Sequence, residues 1–140
     1  MSEQRNPYTG HVPRPVVRLT FCELDGTDHE LTLLADTGSG YPVIVGREWF
    51  DRLVNHRRRV APIHTNLGPL TEGWFHLYMP EFGLNQLVLA YRGPDIAESL
   101  AAENPDLHGL AGLPILRLGE YGGNATEFWF RYPTPTPHSP

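Results

Sequence analysis

Glycine and proline interrupt this chain more often than long helices tolerate, with 14 of each in 140 residues. Proline removes a backbone donor and glycine weakens a helix interior, so dense punctuation of this kind leaves short elements. Apolar alternation between the breaks favours strands, and the length suits one hydrophobic core. The expectation is a single, mostly β domain.

Individual segments refine that expectation. Residues 1–14 are polar and read as an N-terminal extension, residues 15–132 as the folded domain, and the Pro-rich end 133–140, PTPTPHSP, as a disordered tail. The run VVRLTFCEL places Val17, Leu19 and Phe21 on one face, and Asp25-Gly26 then signals a hairpin into HELTLLA and Asp36. Strand parity sets Glu30, Thr32 and Leu34 on the face of Asp36 and Leu31, Leu33 and Ala35 on the other. A short strand, VIVG, precedes REWFDRLVNH, whose Trp49, Phe50, Leu53 and Val54 recur at helical spacing. The stretch RRRVAPIHTNLGPLTEGWFHLYMP reads as a long hairpin turning at Asn66-Leu67-Gly68-Pro69, with Phe75, Leu77 and Met79 alternating against Trp74, His76 and Tyr78. NQLVLAY is a further strand. GPDIAESLAAENP is a helix opened by Pro94 and stopped at Asn104-Pro105, LHGLAGLPILRLG is first small and apolar and then helix-capable, and EFWFRY is the last strand.

Charge and composition narrow the chemistry. The net charge is -5, from 16 acidic and 11 basic residues, and every basic residue is arginine. An acidic chain makes nucleic acid an unexpected partner, and the absence of lysine excludes Schiff-base chemistry and a P-loop. A lone Cys22 has no internal disulfide partner and reads as a small buried hydrophobe. With no apolar stretch approaching a membrane span, a cytoplasmic location and no membrane partner are expected.

The segment LLADTGSGYPVIVG, Leu33 to Gly46, carries the chemical signal. An acid set among apolar residues loses hydration, so donors must surround its charge if it is to be kept there. Thr37 and Ser39 supply hydroxyls, and Gly38 allows close backbone approach. This loop, with two leucines before it and VIVG after it, resembles the active-site loop of the retropepsin-like aspartic proteases, a retroviral type of enzyme with bacterial members. The resemblance extends to a following hairpin flap, for which Thr65, Asn66, Leu67 and Gly68 are the tip candidates. It extends also to Leu110-Ala111-Gly112, similar to the residues that pack under the aspartate loop, and to the short helix-capable PILRLG after them. It implies a small closed barrel with a flap hairpin and two short helices, pairing as a homodimer through its terminal strands.

What the resemblance implies for function is an aspartic endopeptidase acting on peptide or protein substrates without cofactor or metal. Asp36 is the catalytic residue, and because no second Asp-Thr-Gly or Asp-Ser-Gly occurs, one chain holds half a site. Two carboxylates brought together share a proton, one form acting as base toward water and the other as acid toward the carbonyl. Thr37 would bond across the dimer, Gly38 would bring its backbone close, and Ser39 would support the carboxylate. Leu113-Pro114 stands where many members carry a charged residue, and Pro69 removes one donor near the flap tip. The alternative is a binding or scaffolding module of the same fold, without catalysis.

Other features have plainer explanations. Seven histidines form no HExxH-like pairing, although His64 and His76 would face each other in one register of the hairpin. The His56–Arg59 run reads as a solvated edge. Pro42 interrupts a phosphate-cradle reading of the glycines, Ser39 lacks the context of a nucleophile, and Phe128, Trp129, Phe130 and Tyr132 read as core and dimer sheet.

Overall fold

The computed structural model describes residues 2–132, so the expected tail at 133–140 lies outside the described residues. Its strands are β1 (Ser2–Pro7), β2 (Val16–Cys22), β3 (Asp28–Asp36), β4 (Val43–Val45), β5 (Ala61–Thr65), β6 (Gly68–Met79), β7 (Leu84–Arg92), β8 (Gly109–Gly112), β9 (Glu120–Gly123) and β10 (Glu127–Tyr132). Between them lie the helices α1 (Arg47–Leu53), α2 (Pro94–Glu103) and α3 (Leu113–Leu116), with a 3-10 turn at Pro80–Phe82.

Six strands close a barrel in the order β2-β3-β8-β4-β7-β6, with β6 returning to β2 through Phe21↔Leu77 and Cys22↔His76. β5 hangs from the outer edge of β6. The alternation predicted for β2, β3 and β6 is the alternation of burial: Val17, Leu19, Phe21, Leu31, Leu33, Phe75 and Leu77 are wholly inside. Phe75 sits at the centre, meeting Phe21 edge-on at 5.3 Å and Phe50 of α1 at 5.7 Å between ring centroids. A smaller apolar cluster, Ile44, Leu70, Tyr91 and Leu110, is covered by Ile96 and Leu100 of α2.

The second sheet, β1-β10-β9, sends Phe128 and Phe130 into the main core. It corrects the expectation of an N-terminal extension, because Ser2–Pro7 is a strand along the whole of β10. Its polar sequence conceals this. Gln4 grips the β2 backbone in both directions at Arg18, at 2.7 Å each, and Asn6 is buried with its amide on Gln4 and the Val16 carbonyl. The two terminal strands expected to pair with a second copy are paired with each other.

Further differences are local. Among the described residues there are three short helices rather than two, because Pro114 at the first turn starts α3 directly after β8. β9 was unforeseen, since Gly122 and Gly123 carry no strand pattern. His64 lies opposite Pro69 and His76 opposite Leu87, so the two do not face each other. Cys22 is half-buried beside His76 and Leu53 rather than in the core. Trp129 is half-buried too, under the Arg131 guanidinium at 4.1 Å, while its neighbours Phe128 and Phe130 are core.

Candidate active site

Asp36 ends β3, and its position follows from the strand on its far side. β8 runs parallel to β3 with Leu34↔Leu110, Ala35↔Ala111 and Asp36↔Gly112 in register, and antiparallel to β4 with Val43↔Ala111. The chain therefore leaves β3 at Asp36, loops out and returns as β4 on the other edge of the same β8 strand. Leu110, Ala111 and Gly112, singled out in the sequence, are the buried floor of this loop.

Gly112 is the close contact in that floor. A Cβ there would lie 2.0 Å from the Tyr41 carbonyl oxygen and 2.8 Å from that of Ser39, which no side chain can do without moving the backbone. Its N–H donates to the Pro42 carbonyl at 2.9 Å, and the N–H of Leu113 donates to Ser39 at 2.9 Å. Backbone hydrogen bonds thus pin both limbs of the loop to β8 and α3.

Within the loop, the Gly38 N–H donates to Asp36 Oδ1 at 3.0 Å, and the Ser39 N–H to the Asp36 carbonyl at 3.2 Å. Asp36 is half-buried, and Thr37 and Gly38 are exposed. The Ser39 hydroxyl differs from expectation. It accepts from the Tyr41 N–H at 3.1 Å and donates to the Tyr41 carbonyl at 3.2 Å, bracing the loop backbone rather than the carboxylate. A hydroxyl two residues before a backbone N–H satisfies a turn more readily than it reaches back to a side chain.

The β5–β6 hairpin turns at Asn66-Leu67, between the paired Thr65 and Gly68, one residue earlier than the expected Asn66–Pro69 turn, because Pro69 lies in β6 opposite His64. Gly68 takes φ of +93°, a left-handed conformation that a β-carbon disfavours. Thr65 Oγ1 accepts the Leu67 N–H at 3.0 Å and donates to the Gly68 carbonyl at 2.8 Å. Asn66 reaches the aspartate loop, its Oδ1 accepting from the Tyr41 hydroxyl at 2.7 Å. Sequence reasoning named Asn66 but missed Tyr41; its aromatic character next to Pro42 was the available signal.

Burial first, then the nearby Asp28 carboxylate, raises the Cys22 thiol above its ordinary value, which keeps it protonated. A cleft of about 530 Å³ between α1 and α2 is lined by Trp49, His108 and Glu98 and does not include Asp36. Among the described residues, no group of three or more histidine, cysteine, aspartate or glutamate side chains is arranged to hold a metal ion, and no helix is long and apolar enough to cross a membrane. No protein-family model matches the chain, and no curated protein or solved structure matches it either.

Proposed function

We propose that the chain is one protomer of a homodimeric aspartic endopeptidase of the retropepsin-like kind. The supporting observation is the aspartate loop itself: a half-buried carboxylate at a strand end, on a loop hydrogen-bonded to Gly112 and Leu113, with a hairpin tip bonded to the same loop. A structural corner needs an acid at most as a turn former. Here the hairpin also reaches the acid's own loop, as an enclosed peptide site requires.

In the proposed dimer the two Asp36 carboxylates lie close enough to share one proton. The ionised carboxylate removes a proton from water as the water oxygen bonds to the scissile carbonyl carbon, and the protonated one donates to the carbonyl oxygen. Proton transfer to the amide nitrogen then lets the C–N bond break, releasing a carboxylic acid and an amine. Gly38 keeps its own N–H on the aspartate, Thr37 bonds to the partner's loop, and Ser39 keeps the loop rigid through Tyr41. No cofactor or metal enters, and the single thiol suits a reducing compartment such as the cytoplasm.

The test is cleavage of a diverse peptide pool at acidic to neutral pH, because one of two paired carboxylates must hold a proton for the mechanism to run. Asp36→Asn is expected to abolish cleavage while leaving the melting temperature within a few degrees. A fully active Asn variant would remove the mechanism.

A specific observation favours a second reading, a binding module of the same fold. At the hairpin tip the Leu67 N–H is already taken by Thr65, and Pro69 has none to give, so a peptide beneath the tip finds fewer backbone donors. Peptide binding by both the wild type and Asp36→Asn, with cleavage by neither, would select that reading.

A further inference from the structure

Tyr41 stands where the aspartate loop turns into β4, and contacts on several sides fix it. Its backbone is bonded through both N–H and carbonyl to the Ser39 hydroxyl, and the same carbonyl fills the space a Cβ would need on Gly112. Its ring meets Tyr91 edge-on at 5.2 Å, and the Tyr91 hydroxyl donates to Glu72 Oε2 on β6 at 2.9 Å. From that base the Tyr41 hydroxyl crosses to Asn66 at the tip of the hairpin.

The hairpin tip has few other anchors. β5 is bonded to β6 alone, and the side-chain bonds of Thr65 stay within the turn. Leu67 at the tip is 48% exposed, an apolar side chain held out where nothing in the chain covers it among the described residues. Leu70 belongs to the buried cluster with Ile44, Tyr91 and Leu110, and Ile63 packs on it, so the arms of the hairpin are seated; beyond them the turn is tied to the aspartate loop by the Tyr41–Asn66 hydrogen bond, and such a bond is weak enough to open in solution.

We propose that Tyr41 is a positioning residue that latches the tip of the β5–β6 hairpin onto the aspartate loop of its own chain, so that an extended peptide enters and leaves only when the Tyr41–Asn66 bond is broken. The latch forms equally in the empty and the filled site. It slows passage in both directions without changing what is bound, because an interaction of equal strength in both states shifts no equilibrium between them. The role as a gate for peptides rests on the protease reading. The latch itself does not.

Two measurements separate these. Amide hydrogen exchange at residues 66–68 tests the latch without any substrate. Tyr41→Phe removes one hydroxyl and keeps the ring on Tyr91, and it is expected to speed exchange at the tip roughly two- to tenfold, the range of one net hydrogen bond, while exchange in β3 and β8 stays unchanged. Asn66→Ala, which alters an exposed turn rather than the loop, is expected to do the same. Unchanged exchange at the tip in both variants overturns the proposal.

The gate is read by stopped-flow binding of a fluorescent peptide that the wild type cleaves, using Asp36→Asn as the parent. Adding Tyr41→Phe is expected to raise association and dissociation rates together, roughly two- to tenfold, with Kd within about twofold. A merely structural role would weaken Kd with no faster association, and that result overturns the gate. Faster tip exchange in a protein that cleaves no peptide would uphold the latch while removing the protease reading.

Discussion

Gly112 and His108 bracket β8, and each supports a prediction at the scale of single residues. Gly112→Ala sets a methyl against the Tyr41 carbonyl, a backbone atom that cannot rotate away, so the loop must shift. The expected cost is on the order of 3 kcal/mol. It is read as a lower midpoint in urea, with any peptide cleavage lost alongside; an unshifted midpoint would mean that the loop is not held by this contact. His108 receives the Thr32 N–H on Nδ1 at 3.0 Å, and burial lowers its pKa, with Asp106 opposing. A base whose pKa is depressed on folding binds fewer protons in the folded state. Its stabilisation is complete above the ordinary histidine value of about 6.5 and is lost as pH falls through the depressed folded value. His108→Asn keeps an acceptor that does not titrate in this range. It is therefore expected to flatten the fall in melting temperature below about pH 6.5, and an unaltered slope would place the pH dependence elsewhere.

Among the elements, β1 and the β5–β6 hairpin make opposite demands on a sequence reader. The hairpin is written plainly, with alternating apolar residues, a turn-forming Asn66 and a glycine at the one left-handed position. Gly68→Ala is expected to cost about 1 kcal/mol through that conformation alone, measurable as a small drop in melting temperature. β1 carries no such pattern because its attachment is made by amides: Gln4 and Asn6 satisfy the β2 backbone where no further strand continues the ladder. Asn6→Ala leaves the Val16 carbonyl and the Gln4 amide oxygen without this donor, at an expected 1–3 kcal/mol, roughly. A neutral Asn6→Ala in thermal unfolding would show that β1 is not bound through this residue. β9 was hidden for a different reason, since strand character at Gly122 and Gly123 comes from pairing with β10 and not from the glycines.

For the whole molecule, the intrachain pairing of β1 with β10 bears on how two copies meet. With β10 bonded on both sides, by β1 and by β9, a second copy cannot add a strand to it without displacing one of them. The proposed enzyme nevertheless needs two chains, because each contributes one Asp36. Specific activity should therefore fall on dilution in step with the dimer fraction measured by sedimentation. Constant specific activity from a strictly monomeric sample would contradict a shared pair. Phe75→Ala, at the meeting point of Phe21 and Phe50 in the barrel core, is expected to cost about 3–5 kcal/mol in denaturant unfolding.

Local chemistry along the chain was enough to specify the β-rich class, the barrel strands other than β8, the β5–β6 hairpin and the unusual setting of Asp36, whereas the place of Leu110-Ala111-Gly112 beneath the loop came from the resemblance alone. The former rest on periodicity, turn residues and the company an acid keeps, all of which act between near neighbours. The partner of Tyr41, the strand at Ser2–Pro7 and the pairing of the two chain ends depend on groups far apart in sequence, from 25 residues for Tyr41 and Asn66 upward to Ser2 and Tyr132, while the Ser39 brace is local but competes with the carboxylate for the same hydroxyl. A hydrogen bond between polar side chains leaves no periodic trace, because any serine, asparagine or tyrosine can make it, and which one does is set by the strand order that brings them within reach.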